Sequence, residues 1–338
     1  MPGFALLSEI GYLDAMRAMM MSVLGEPEAL ELQTLPDREP GPGQVAIDVQ
    51  AIGCNFADTL ICRGRYQLKP DLPFAPGSEV AGRVVALGGG VEGFRVGQTV
   101  SAQLGFGGYA SRVIADARRV QSVPDGMPPA DACALGIAYQ TSYLALVDRA
   151  RLAPGDSLLI HAAAGGVGLA ALQIGKALGA RVIAGASPDK LDFCKAQGAD
   201  EVVDTREAGW VERVRELTGG RGADVIYESV GGASFEGSLK CIAWAGRLLV
   251  IGFSSGDIPA LKMNRVLLKH ITLLGLNIGG YHEHDPRGLR SATEQLFALY
   301  ASGKIKPAIH ARYPLAEAAR ALRELSDRRT VGKLILEP

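Results

Sequence analysis

The run "HAAAGGVGLAAL" carries its chemistry in glycines. Gly165 and Gly166 leave no side chain where backbone must approach a pyrophosphate, and Gly168 lets the next helix lie close on its sheet. Ala164, Gly165, Gly166, Val167 and Gly168 then present the N–H groups of a helix N-terminus to the anion. Ala163 stands where a G-x-G-x-x-G fingerprint has its first glycine. Alanine excludes only backbone angles with positive φ, so the turn remains possible. A glycine-rich turn is weak on its own, and a tight turn without a ligand is the alternative. Here strand, turn, helix, the Gly179 stop and a second strand follow in order.

In NAD-binding units the second strand ends in an acid about 20 residues on, which accepts from the ribose hydroxyls. Here that slot is Ala186, in "AGASPDK". An acid would repel a 2′-phosphate, whereas small residues such as Gly185 and Ala186 leave room for one. Ser187 can donate a hydrogen bond and Lys190 can supply charge, with Arg206 in "VVDTRE" a weaker second cation. The loop therefore suits NADPH over NADH, although Lys190 also reads as an ordinary solvated lysine in a first helical turn. Ligands sit beyond the carboxyl ends of parallel strands, which adds Val230 and Gly231 in "SVGG", Gly252, Phe253 and Ser254 in "VIGFSS", and Asn277. His282 and His284 in "YHEHD" resemble a metal pair, but loop histidines are more often solvated.

These residues need elements to hold them. From 17 to 123 short apolar runs are cut by Gly, Pro and Asp, with alternation such as Val45, Ile47, Val49 and Ala51, which predicts half-buried strands in a β-rich domain. From Asp156 strands alternate with helices. The strands are "SLLIHA", "RVIAGA", "EVVD", "DVIYES", "GRLLVIGF" and "ITLLGL"; the helices fall at 168–178, 190–197, 210–218 and 235–242. That pattern is an α/β, doubly wound parallel sheet. Two helices and the strand-like "GKLILEP" follow, a tail expected to pack back on the first domain.

The 338 residues allow two domains. With 35 Lys and Arg against 36 Asp and Glu there is no bulk field to recruit nucleic acid or an anionic membrane, which leaves a small molecule or a second copy as partner. Five scattered cysteines without a C-x-x-C pair argue against a disulfide framework and for a reducing, cytoplasmic setting. No apolar run approaches the roughly 20 residues of a membrane span, and no secretory signal is recognisable. Residues 1–15 form an extension: either Met16 is the natural start, or the segment is a short element packed on the body.

Taken together, "PGPGQVAIDVQAIGCNFADTLICRGRY", "LPFAPGSEVAGRVVALGGGVEGFRVGQTV", "AAAGGVGLAALQIGKALGA", "GADVIYESVGG" and "GKLILEP" resemble the medium-chain dehydrogenase/reductase superfamily, within it the zinc-independent, ζ-crystallin-like quinone oxidoreductases. The resemblance covers nearly everything from Met16 on. It implies a GroES-like catalytic domain over 16–137 and 281–338, a Rossmann domain over 138–280, and a phosphate motif A-x-G-G-V-G, which Ala163 to Gly168 match. Against the superfamily's zinc enzymes, Asn55, Ser78 and Ile137 occupy the three catalytic ligand positions and the four-cysteine lobe is missing, so no metal is expected. Without a Lewis acid, ionising an alcohol near neutral pH is unfavourable, and an electron-poor acceptor fits better. The resemblance implies NADPH-dependent reduction of quinones or α,β-unsaturated carbonyl compounds, and a homodimer.

In that family Asn55, Asp58 and Tyr66 match positions lining the nicotinamide and substrate pocket. Asn55 would donate an N–H or else merely cap local backbone, Tyr66 would bind substrate or relay a proton or else merely pack, and Asp58 would be a structural acceptor. Leu60 stands where many members have a second tyrosine. Two rival functions stay open: an enoyl-thioester reductase using Arg63, Arg65 and Lys69 as a basic entrance, and a non-catalytic NADPH-binding protein.

Overall fold

A computed structural model describes residues 15–338; the extension expected over 1–15 lies outside the described residues except for Ala15. The chain divides into two compact units. The first holds the described residues up to Val123 with Tyr313–Arg323 and Leu336–Pro338, and the second holds Pro124–Arg312 and Glu324–Ile335.

In the first unit β1 (Met16–Met21) pairs antiparallel with β2 (Leu30–Leu35). β3 (Gln44–Cys54), α1 (Phe56–Cys62), β4 (Glu79–Leu87), β5 (Thr99–Gln103), β6 (Arg112–Asp116) and β7 (Val120–Ser122) follow. The alternation of Val45, Ile47 and Val49 puts these side chains into the core of an antiparallel sheet. Its order is β3-β4-β5-β7 with β6 on the other side of β3, and the C-terminal strands β14 (Ile309–Pro314) and β15 (Lys333–Glu337) extend it as β14-β15-β3.

The second unit begins with α2 (Pro129–Ala134) and α3 (Ile137–Tyr143), then winds β8 (Ser157–Ile160), α4 (Gly166–Ala177), β9 (Arg181–Ala186), α5 (Leu191–Ala196), β10 (Glu201–Asp204), α6 (Trp210–Leu217), β11 (Ala223–Glu228), α7 (Gly232–Cys241), β12 (Ile242–Val250), α8 (Asn264–Lys269) and β13 (Thr272–Gly275). α9 (Ile278–His284) and α10 (Pro286–Ala301) complete it, and α11 (Ala318–Ser326) is divided between the units. The six-stranded sheet is parallel throughout, in the order β10-β9-β8-β11-β12-β13. Strands buried on both faces read as unbroken apolar runs, which is why "SLLI" and "RVIAGA" stand out. Leu159, Ile183, Val203, Ile226 and Leu248 pack with Val214, Phe235 and Leu239 into one core cluster. The chain leaves β8 in one direction and returns at β11 in the other, so strand order reverses between these two.

Two helices begin earlier than their apolar periodicity indicates: α4 and α7 start at Gly166 and Gly232 because glycine, silent in a hydrophobic pattern, can open a helix. The seams also differ from 137/138 and 280/281. α2 and α10 belong to the second unit, where Asp131 accepts from the Tyr300 hydroxyl (2.6 Å), Gln140 donates to Thr293 Oγ1 (2.8 Å), and Leu289 and Ala292 pack on Leu144. An amphipathic face shows that a helix must pack but not on what. Among the described residues no helix is long and apolar enough to cross a membrane.

Candidate functional site

The turn leaving β8 is closed by the Gly165 N–H donating to the Ala162 carbonyl (2.9 Å), and α4 opens with Leu169 N–H to Gly165 O (2.8 Å). The left-handed residue is Ala162, at φ 49°, one place ahead of the fingerprint's first position. Ala163 instead donates to the Gly185 carbonyl at 3.0 Å and needs no glycine. The glycines differ in what demands them. A Cβ on Gly168 would stand 2.2 Å from Ala162 O, so helix packing requires that glycine, whereas on Gly165 it would meet nothing closer than 3.4 Å. The protein's own packing does not demand glycine at 165, so the backbone there is bare and open to an anion's approach. The turn thus fits a nucleotide pyrophosphate.

Two flanking residues escaped the sequence reading. Gly332, held at φ 60°, donates to Ala164 O at 2.7 Å, and the Lys333 side chain would lie 3.3 Å from a Cβ on Gly166. Only their distance along the chain concealed them.

At the end of β9, Ala186 is buried and Gly185 fits because a Cβ there would lie 2.7 Å from Thr205 Cγ2. The Ser187 hydroxyl donates to Asp189 and helps hold that carboxyl below its usual range. Lys190 is half-buried, and its Nζ donates to Arg328 O (2.5 Å) and Thr330 O (2.8 Å). Burial pushes its pKa down, Asp189 pulls it up, and the nearby charges of Arg206 and Arg328 push it down further. Arg328, which donates to Ser254 O at 3.0 Å, is a third cation that the sequence reading did not single out. Arg206 and Arg328 are thus both within electrostatic reach of Lys190.

Beyond β11 the loop is built on Glu228. The N–H groups of Val230 and Gly231 turn inward to its Oε1, at 2.8 and 3.0 Å, so they are not donors toward a ligand. Gly231 is needed at φ 80°, where a Cβ would strike Asp257 O at 2.5 Å; Gly252 has no neighbour nearer than Ser229 O at 3.8 Å. Ser254 donates its N–H to Ser229 O (3.1 Å), and Phe253 lies against Gly231. Asn277 caps α9, its Oδ1 accepting the Gly279 N–H at 3.0 Å.

The first unit holds a separate polar cluster. Asp58 is fully buried in the first turn of α1. It accepts the Asn55 backbone N–H (2.8 Å) and the Tyr109 hydroxyl (3.1 Å) on Oδ2, and the Ser78 hydroxyl on Oδ1 (3.4 Å). Asn55 Nδ2 donates to the buried Glu79 carboxylate at 2.9 Å, with Gly53 O at 3.5 Å, which directs the carboxamide's donors into the protein. Gly53 makes this possible, since a Cβ there would lie 2.3 Å from Glu79 Oε1. Burial raises the Tyr109 phenol, with the Asp58 charge adding to it, and pushes the Cys62 thiol up to about 12. The half-buried Tyr66 is also raised, by burial first, with Gln67 opposing and Asp58 adding. Among the described residues no group of three or more His, Cys, Asp or Glu is placed to hold a metal ion.

Residues 41–125 match the alcohol dehydrogenase GroES-like domain, and residues 166–294 match the family model described as zinc-binding dehydrogenase. The chain is 37% identical over 323 residues to a quinone oxidoreductase-like protein 2 homolog of Nematostella vectensis, covering 95% of this chain and 88% of that one. It is 36% identical to a quinone oxidoreductase of Pseudomonas aeruginosa, covering 95% and 99%. The structure of Escherichia coli quinone oxidoreductase complexed with NADPH superposes with a TM-score of 0.89 at 33% identity, over 95% of this chain and 100% of that one. A GroES-like part, a doubly wound sheet with an A-x-G-G-V-G turn, and near full-length relatives place the chain in the quinone oxidoreductase branch of the medium-chain dehydrogenase/reductase superfamily.

Proposed function

We propose that the protein is an NADPH-dependent reductase that delivers a hydride to quinones or α,β-unsaturated carbonyl compounds without a metal. The observation that carries this is the β9 end of the nucleotide unit: Ala186 in place of an acid, with Lys190 just beyond it and Arg206 and Arg328 within electrostatic reach of Lys190. NADPH supplies the hydride when bound. The chain's part is to hold and orient. Ala164 to Gly168 offer the pyrophosphate a bare backbone and the head of a twelve-residue helix. The three cations neutralise the 2′-phosphate, and the exits of β11 and β12, with Gly252 unobstructed, border the other half of the nucleotide.

In the first unit Asp58 and Glu79 fix Asn55 and the start of α1. Asn55 then acts as an orienting group more than as a donor, because its N–H groups already have acceptors. The one proton of the Ser78 hydroxyl has Asp58 (3.4 Å) and Gly105 O (3.3 Å) as alternative acceptors, which favours an acceptor substrate that takes a hydride directly. Arg63 is held by Glu26 in a two-pronged ion pair, leaving Arg65 and Lys69 of the basic loop for a thioester entrance.

The oligomer we propose is a homodimer through the second unit. β13 ends the sheet, and Trp244, Leu267 and Leu268 are exposed nearby on β12 and α8, an apolar edge that pairing with a second copy would cover. Sedimentation should report a dimer that Trp244→Glu dissociates.

The deciding experiment is NADPH oxidation across quinones, enones and enoyl-CoA esters, with NADH alongside. Turnover of quinones or enones with a preference for NADPH is expected. A clear thioester preference would replace the acceptor class, and no turnover with any acceptor would make the chain a nucleotide-binding protein only.

A further inference from the structure

The nucleotide unit buries a polar network to which the proposed function gives no part. Glu228, the last residue of β11, is fully buried. Besides the Val230 and Gly231 amides on Oε1, its Oε2 accepts the hydroxyls of Ser234 and Ser238, both at 3.1 Å. Ser238 has one proton and gives it to Glu228. The 2.8 Å contact between His161 Nε2 and Ser238 Oγ therefore has histidine as donor, which fixes the neutral Nε2–H tautomer. Trp210 stands edge-on to the imidazole, 5.2 Å between ring centres.

Serine, histidine and a carboxylate are also the residues of hydrolytic triads, but their order here forbids that chemistry. The serine stands between histidine and acid, its proton points at the carboxylate, and all three are buried. What the network can do is hold shape. His161 leads directly into the phosphate turn. Its carbonyl also accepts the Ser229 hydroxyl at 3.2 Å, from the loop whose amides Glu228 ties down. The two loops flank the β8/β11 boundary where strand order reverses, which is where an open parallel sheet takes its ligand.

We propose that Glu228, Ser238 and His161 form a positioning network that locks the phosphate turn to the β11 exit loop and thereby sets the affinity for the nicotinamide half of the nucleotide. The inference rests on the NADPH reading above. Because the 2′-phosphate cations lie at the β9 end, the adenosine half binds on the far side of the phosphate turn from the network. A ligand that carries only that half separates a positioning role from a general loss of structure.

The test measures dissociation constants of NADPH and of adenosine 2′,5′-bisphosphate, with thermal unfolding, for wild type, Ser238→Ala, Glu228→Gln and Glu228→Asp. Ser238→Ala and Glu228→Gln should weaken NADPH by about tenfold, the scale of one hydrogen bond to a charged group, and leave the bisphosphate within about twofold. Glu228→Asp should recover part of the loss. Unchanged NADPH affinity in a folded variant, or equal losses for both ligands, would overturn the proposal. Should Glu228→Gln fail to fold, Ser238→Ala, which removes a single hydroxyl, decides the matter. A wild-type protein that binds the bisphosphate but shows no added affinity for NADPH would refute the cofactor reading and the network with it.

Discussion

Each unit carries a fully buried carboxylate, Asp58 in the first and Glu228 in the second, and the two are satisfied in different ways. Glu228 takes its donors from nearby in the chain: two amides of the loop that follows it and two hydroxyls on the first turns of α7. Asp58 takes one amide three residues away and hydroxyls from Ser78 and Tyr109, 20 and 51 residues along the chain. Glu228 shapes a loop; Asp58 joins three segments of a β-rich unit. Losing Asp58 should therefore damage stability most, and losing Glu228 should damage ligand affinity most.

The largest expected effect follows from this. Asp58→Ala strands the buried Tyr109 hydroxyl and the half-buried Asn55 amide, at about 1 to 3 kcal/mol for each group left unsatisfied, while Ser78 keeps Gly105 O as an acceptor. A loss of at least about 2 kcal/mol in urea unfolding is expected. A change below about 1 kcal/mol would mean that water replaces the carboxylate easily, and the contrast with Glu228 would collapse.

A second contrast lies between the two ends of the proposed nucleotide site, one beside the cations at the β9 exit and the other beside the buried network. Lys190→Ala should weaken NADPH by about 1.5 to 3 kcal/mol, the range for a hydrogen bond to a charged group, and leave NADH nearly unchanged. Lys190 also fastens the backbone at Arg328 and Thr330, so its removal frees the segment that carries Arg328. Arg328→Ala should shift NADPH affinity in the same direction by less, because its side chain is exposed. Equal losses for NADPH and NADH would remove the 2′-phosphate from this end.

The parts of this site differ in how openly the sequence declares them. The phosphate turn is legible because the chemistry needs glycine at fixed spacing after an apolar strand, and no other residue type will serve at Gly168. Ala186 is legible as an absence at a known interval. Glu228 is visible as an acid ending a strand, but nothing in "DVIYESVGG" says that its oxygens turn back on the next two amides. Arg328 lies 138 residues from Lys190, and only the fold brings them together. Asn55 is the instructive case: its type suggests a donor, and the Glu79 carboxylate 24 residues on takes that donor away. Local spacing encodes backbone demands well, whereas side-chain partnerships depend on tertiary pairing.

The network in the second unit also has a pH signature. Burial lowers the His161 pKa below its ordinary 6.5, against an upward pull from Glu228, the charged group that faces it. An unfolded histidine binds a proton near pH 6.5. Between that pH and the lower folded value the unfolded chain holds more protons, so stability rises with pH there. The contribution is fully present above about pH 6.5 and is lost as pH falls toward the folded value, by at most about 1.4 kcal/mol per pH unit. Thermal unfolding at pH 7.5 and 5.5 should show a larger drop for wild type than for His161→Gln, which keeps a donor without titrating. Parallel curves would mean that the buried ring is not the group that titrates.

The smallest effect is expected where catalysis by a side chain would have been most visible. A phenol near pKa 10 is a modest acid at neutral pH, and both burial and the Asp58 charge raise Tyr66 above that. General acid catalysis by a well-tuned group contributes about 100-fold or more, which this phenol is badly placed to supply. Tyr66→Phe should therefore raise KM for the acceptor and lower kcat by less than about tenfold, with no new titration between pH 6 and 9, the proton coming from water. A kcat loss of about 100-fold at unchanged KM would make Tyr66 the acid, and would show that substrate binding reverses the unfavourable shift its surroundings impose.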